Sequence, residues 1–81
     1  MAKVAILMGS ESDRSVMKAS EDVLDQMGVD YETHVISAHR NPEQLMEYVQ
    51  NARDKEIKVF IAGAGGAAAL PGAIASWTSL P

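Results

Sequence analysis

Val4-Ala5-Ile6-Leu7-Met8 is an unbroken apolar run, followed at once by Gly9-Ser10. A run this short, with no polar residue to turn toward water, predicts a strand buried on both faces of a parallel sheet. The next segment changes period. Val16, Ser20, Val23, Leu24 and Met27 recur at spacings of three and four, which predicts a helix with that stripe facing inward. Ser12 or Asp13 is placed to cap its start, and Gly28 to end it in a left-handed turn. Tyr31 to Ile36 reads as a second extended segment. Glu32 and His34 alternate along it, which suits a strand at a sheet edge and gives His34 a structural role.

Asn41-Pro42-Glu43-Gln44 carries the clearest helix start. Asn41 can accept from the first-turn amides, Pro42 loses nothing at the first helical position, and Gln44 can reach back as in a capping box. Leu45, Val49 and Ala52 form the inward stripe, and Lys55 lies near the end that favours positive charge. Val59-Phe60-Ile61-Ala62 reads as a third buried strand running into Gly63-Ala64-Gly65-Gly66. The segment from Ala67 to Thr78 is helical in pattern, with an interruption expected at Pro71-Gly72. Strands alternating with helices predict right-handed crossovers and a parallel sheet, and the doubly apolar first strand belongs in its centre, order 2-1-3. No strand follows the last helix. The outer side of the third strand, at Phe60 and Ile61, is therefore expected to be unpaired, with Leu70, Ile74 and Trp77 uncovered. The chain reads as a fragment that self-associates.

Composition narrows the class. A chain of 81 residues is one domain, here taken as residues 1–81, and its small core leaves it marginally stable. A hydrophobic content of 47% with 22% charged residues is that of a globular protein. The net charge of −4, with no basic cluster, argues against a nucleic-acid partner. Without cysteine there is no disulfide, no thiolate metal ligand and no thiol nucleophile. No apolar stretch approaches the roughly 20 residues of a membrane span, and no signal peptide opens the chain, so the expectation is a cytoplasmic protein with no membrane partner.

Ligands of open parallel sheets bind outside the carboxyl ends of the strands. Three strand-to-helix loops lie there by this reading: Gly9 to Asp13, Ser37 to Arg40, and Gly63 to Ala69. Each precedes a helix N-terminus, whose free amides attract a phosphate or carboxylate. Taken singly, each loop also has a plain explanation. Ser10, Ser12 and Asp13 can serve only as a cap, Arg40 as a solvated charge, and the glycines as a tight turn. Together, a cationic Arg40, a titratable His39 and two amide-rich turns describe an anion pocket with an acid–base group inside it. Gly63-Ala64-Gly65-Gly66-Ala67-Ala68 fits G-x-G-x-x-A, but it follows the third strand and no acidic residue occurs after Glu56, which argues against a dinucleotide. There is no Gly-Lys-Ser/Thr phosphate loop. The two histidines stand on separate segments, so no metal site is expected.

Met8-Gly9-Ser10-Glu11-Ser12-Asp13, Ser37-Ala38-His39-Arg40-Asn41-Pro42 and Ala62-Gly63-Ala64-Gly65-Gly66-Ala67-Ala68-Ala69-Leu70-Pro71-Gly72 together resemble the N5-carboxyaminoimidazole ribonucleotide mutases of purine biosynthesis. The likeness runs through the whole chain, which covers about the N-terminal half of such a protein. It implies a three-layer flavodoxin-like α/β sheet, here cut to about three strands. It also implies an isomerase that moves a carboxylate from the exocyclic nitrogen to ring carbon four of aminoimidazole ribonucleotide, without metal or organic cofactor. The family's octamer implies a homo-oligomer. By position, His39 would be the acid–base catalyst. Ser10, Asp13, Ser37, Arg40, Gly63, Ala64, Gly65 and Leu70 would bind substrate, with Arg40 on the phosphate and the glycine loop enclosing carbon dioxide. Ala69 stands where the family has His, Ala73 where a larger residue is usual, and Asn41 where Thr is usual. The alternative is an inactive half-domain serving in folding, assembly or weak phosphate binding.

Overall fold

The structure, a computed structural model, describes residues 2–66 and 69–81. Strand β1 (Val4–Met8) leads through a 3-10 turn (Glu11–Asp13) into helix α1 (Arg14–Met27). Strand β2 (Tyr31–Val35), helix α2 (Pro42–Gln50), a second 3-10 turn (Arg53–Lys55), strand β3 (Val59–Gly63) and helix α3 (Ala69–Trp77) follow. The three strands are parallel in the order β2-β1-β3, as the apolar run predicts, and form the open flavodoxin-like α/β sheet that the resemblance implies. Every residue of β1 is buried because both of its faces are covered. In register, Met8 lies beside Val35 and Gly63, so all three strand-to-helix loops leave one end of the sheet.

Helices α2 and α3 cover one face, where Leu7, Ile36, Leu45, Val49, Leu70 and Ile74 form a core. Helix α1 covers the other, with Met17 set against Val4, Ile6 and Met8. Two expectations fail here. Leu70 and Ile74 are 2% and 4% exposed and Trp77 is half-buried, because α3 lies on α2 and the sheet instead of awaiting another layer. The inward stripe of α1 also fails at three of its positions: Val16, Val23 and Met27 are 73%, 52% and 68% exposed. Of that stripe Leu24 does face the sheet, and Met17, outside it, is buried there in place of the exposed three. The helix carries apolar residues around a wide arc, and Met17 and Leu24 are the part of that arc packed on the sheet.

Gly28 ends α1 at φ 70°, its amide donating to Asp25 and that of Val29 to Leu24, the expected left-handed cap. Helix α3 runs unbroken through Pro71 and Gly72, contrary to the interruption expected there. Pro71 lies in the first turn, where its missing N–H has no intrahelical acceptor to lose. The part of that helix expected at Ala67 and Ala68 lies outside the described residues. The outer side of β3 is met in part, since the Phe60 amide donates to Pro81 O at 2.8 Å.

Candidate functional site

In the first loop, the amide of Gly9 donates to Gly63 O at 3.2 Å, which ties the exit of β1 to that of β3. Neither Ser10 nor Asp13 makes a side-chain hydrogen bond to a helix amide, so the expected caps are not formed by these side chains. Their polar atoms meet one another. Ser10 Oγ lies 2.6 Å from Ser12 Oγ and donates to Asp13 Oδ2 at 3.4 Å. The Asp13 carboxylate stands between two glycines: a Cβ built on Gly9 or on Gly65 would lie 3.9 Å from one of its oxygens. Asp13 therefore joins the first loop to the third.

The second loop is shaped by Ser37. Its Oγ accepts the amides of His39 and Arg40 at 3.3 and 3.1 Å, and its carbonyl accepts that of Asn41 at 2.9 Å. The hydroxyl holds the turn that carries His39 and Arg40, and both are exposed at its tip. Pro42 opens α2 as expected, but Asn41 makes no side-chain cap hydrogen bond. Among the described residues of the third loop only Gly66, at φ 59°, needs glycine for its backbone. Gly63 is glycine for another reason: a Cβ there would lie 2.2 Å from Met17 Sδ. Ala69, half-buried, begins α3, and the side chain of Leu70 belongs to the core.

A groove of about 520 Å³ runs between the first two loops, lined by Gly9, Ser10, Glu11, Val35, Ser37, Arg40 and Asn41. Arg40 and Asn41 also border a depression of about 380 Å³ at the start of α2. The structure thus brings Ser10, Ser37 and Arg40 to one groove. His39 is on the same turn but not in the groove wall, and Gly63, Ala64 and Gly65 lie across the first loop from it. Sequence reading passed over Glu11, which lines the groove. Arg14 holds its carboxylate through Nε at 2.7 Å and Nη2 at 3.0 Å, and this hydrogen-bonded pairing keeps the Glu11 carboxyl below its usual pKa. The opposite charges three residues apart are the signal that could have found it.

Outside the groove, His34 Nε2 lies 2.8 Å from Glu32 Oε2, and its ring meets that of Tyr48 edge-on with centroids 4.9 Å apart. Lys55 Nζ stands 4.8 Å from the centre of the Tyr48 ring. Among the described residues no group of three or more His, Asp or Glu could hold a metal ion. No helix of the described residues is long and apolar enough to cross a membrane.

A family model described as AIR carboxylase matches residues 3–81. Curated relatives bear the name N5-carboxyaminoimidazole ribonucleotide mutase. One from Vibrio parahaemolyticus is 60% identical over 98% of the chain and 49% of the relative. One from Thermotoga maritima is 53% identical over 100% and 47%. One from Saccharolobus solfataricus is 54% identical over 100% and 51%. The chain spans about half the length of the curated relatives it matches.

Proposed function

The chain belongs to the AIR carboxylase family, and from that premise we propose that residues 1–81 supply the N-terminal, ribonucleotide-binding half of an N5-carboxyaminoimidazole ribonucleotide mutase. The observation that carries this reading is the groove that gathers Ser10, Ser37 and Arg40 at the carboxyl ends of β1 and β2. Arg40 receives the phosphate, since an exposed guanidinium beside the start of α2 adds its charge to free helix amides. Ser10 and Asp13 contact the rest of the nucleotide. His39 moves the proton. As the bond between the exocyclic nitrogen and the carboxylate breaks, an imidazolium donates to that nitrogen and carbon dioxide is released. Ring carbon four then attacks the carbon dioxide, and its displaced proton returns to the imidazole, so charge and protons balance.

The glycine loop, with the backbone of Ala64 and Leu70, encloses the carbon dioxide and holds it near the ring, where a diffusing molecule would be lost to water. Neither metal nor organic cofactor enters the scheme. The protein acts in the cytoplasm as a homo-oligomer, without nucleic-acid or membrane partners. Exposed Val16, Val23 and Met27 support the self-association. Ala69 offers a methyl group where the resemblance expects an imidazole, which lowers turnover by roughly 10²–10⁴-fold, the worth of a positioned acid–base group.

Titration with aminoimidazole ribonucleotide, followed by amide NMR, tests the binding. Shifts at Ser10, Ser37 and Arg40 that vanish in Arg40→Ala are expected, and shifts confined to other surfaces would overturn it. Turnover of carboxyaminoimidazole ribonucleotide should be negligible for the chain alone. It should rise when the second half of a relative is appended, and rise again with Ala69→His. Equal rates in all three would refute the role given to position 69.

A further inference from the structure

Met17 is the one residue of α1 buried below a tenth exposure, at 8%. Its thioether occupies the space a side chain at residue 63 would need. A Cβ on Gly63 would lie 2.2 Å from Met17 Sδ, 3.0 Å from Cε and 3.2 Å from Cγ. Gly63 is also where β3 ends, and its carbonyl accepts the Gly9 amide at the start of the first loop. Two residues on, Gly65 faces the Asp13 carboxylate. One contact therefore sits beneath the junction of two ligand-facing loops.

We propose that Met17 is a positioning residue of the ribonucleotide site: its thioether, seated on the bare Cα of Gly63, sets how far the glycine loop stands from Ser10 and Asp13. This rests on the reading given under Proposed function. The chemistry suits the task. An unbranched, polarisable side chain can lie flat against a glycine, whereas a branched one of similar volume carries a second methyl into the same space. Sub-ångström displacement at such a junction matters because the loop must close around a small molecule, and misplacement by about 1 Å can cost on the order of 100-fold in rate.

The test compares the chain with Met17→Leu, Gly63→Ala and the double variant Gly63→Ala/Met17→Val, in which the shorter side chain makes room for the new methyl. Hydrogen exchange is read at the Gly9 amide, which bonds to Gly63, and at the Ile36 amide, which bonds to Met8 on the other side of β1. Affinity for aminoimidazole ribonucleotide is measured in parallel. In Met17→Leu and Gly63→Ala, Gly9 exchange should quicken about tenfold with Ile36 unchanged, and affinity should fall by at least about tenfold. The double variant should recover most of both. Gly9 and Ile36 quickening together would mean general destabilisation and overturn the proposal. So would a double variant no better than Gly63→Ala. A wild-type chain that binds no ribonucleotide would remove the proposed function, and the Gly9 exchange of the rescue pair would then decide the positioning claim alone.

Discussion

Tyr48 on α2 donates its phenolic proton to Glu32 Oε2 on β2 at 2.5 Å, which ties the helix to the edge strand it covers. The Tyr48 hydrogen bond, aided by His34 beside it, keeps the Glu32 carboxyl below its usual pKa. Burial, and then the carboxylate it faces, push the Tyr48 phenol up.

Tyr48→Phe should destabilise the fold by about 1–2 kcal/mol, since it removes a hydrogen bond to a charged acceptor and leaves Glu32 half-buried beside a ring. Urea denaturation at neutral pH measures this. The pH dependence has two limbs. A depressed carboxylate stabilises the fold above its unfolded value of 4.5, and that contribution is lost as pH falls through the lower folded value. A raised phenol stabilises below its unfolded value of 10.0, and stability declines as pH climbs above it. Both limbs should flatten in Tyr48→Phe. Unchanged curves would show that the contact has no energetic weight.

Two left-handed positions should respond with opposite signs. Gly28 has φ 70° and Glu56 has φ 65°. Gly28→Ala should cost about 1 kcal/mol, and Glu56→Gly should gain a comparable amount less the entropy of a freer unfolded chain. Thermal melts of the two variants suffice to compare them.

The exposed side of α1 should tolerate polar residues. Val16→Ser or Val23→Ser should change stability by about 0.5 kcal/mol or less, while Leu45→Ala, at a position wholly buried on α2, should cost about 2–5 kcal/mol. Sedimentation of Val16→Ser/Val23→Ser should show weaker self-association than the parent chain. If the serines unfold the protein, the inward face of α1 is misplaced.

At the second loop, Ser37→Ala should cost about 1 kcal/mol and broaden the amide signals of His39 and Arg40, because both lose their acceptor. Asn41→Ala should cost only a few tenths of a kcal/mol, well under the usual penalty for losing a cap, since its side chain caps nothing here. The reverse order of costs would restore the capping role.

The chain's local pattern determined what local physics governs. Five branched or apolar residues without a polar face, closed by Gly9, suit a strand covered on both sides, so β1 and the order β2-β1-β3 were legible in the sequence, as were the cap at Gly28 and the start at Pro42. The three loops were legible too, because parallel strands deliver their carboxyl ends to one edge. Tertiary structure decided the rest. Val16 and Met17 are neighbours in an apolar arc, and no periodicity says which of them turns inward. Met17 is the one that packs on the sheet, and the bare Cα of Gly63 makes the room that it fills. Likewise Ser10, Asp13 and Asn41 are cap-forming residue types, yet none of their side chains bonds a helix amide, and Ser10 instead meets Ser12 and Asp13. Glu32 and Tyr48 meet across a crossover, where sequence spacing carries no information about distance.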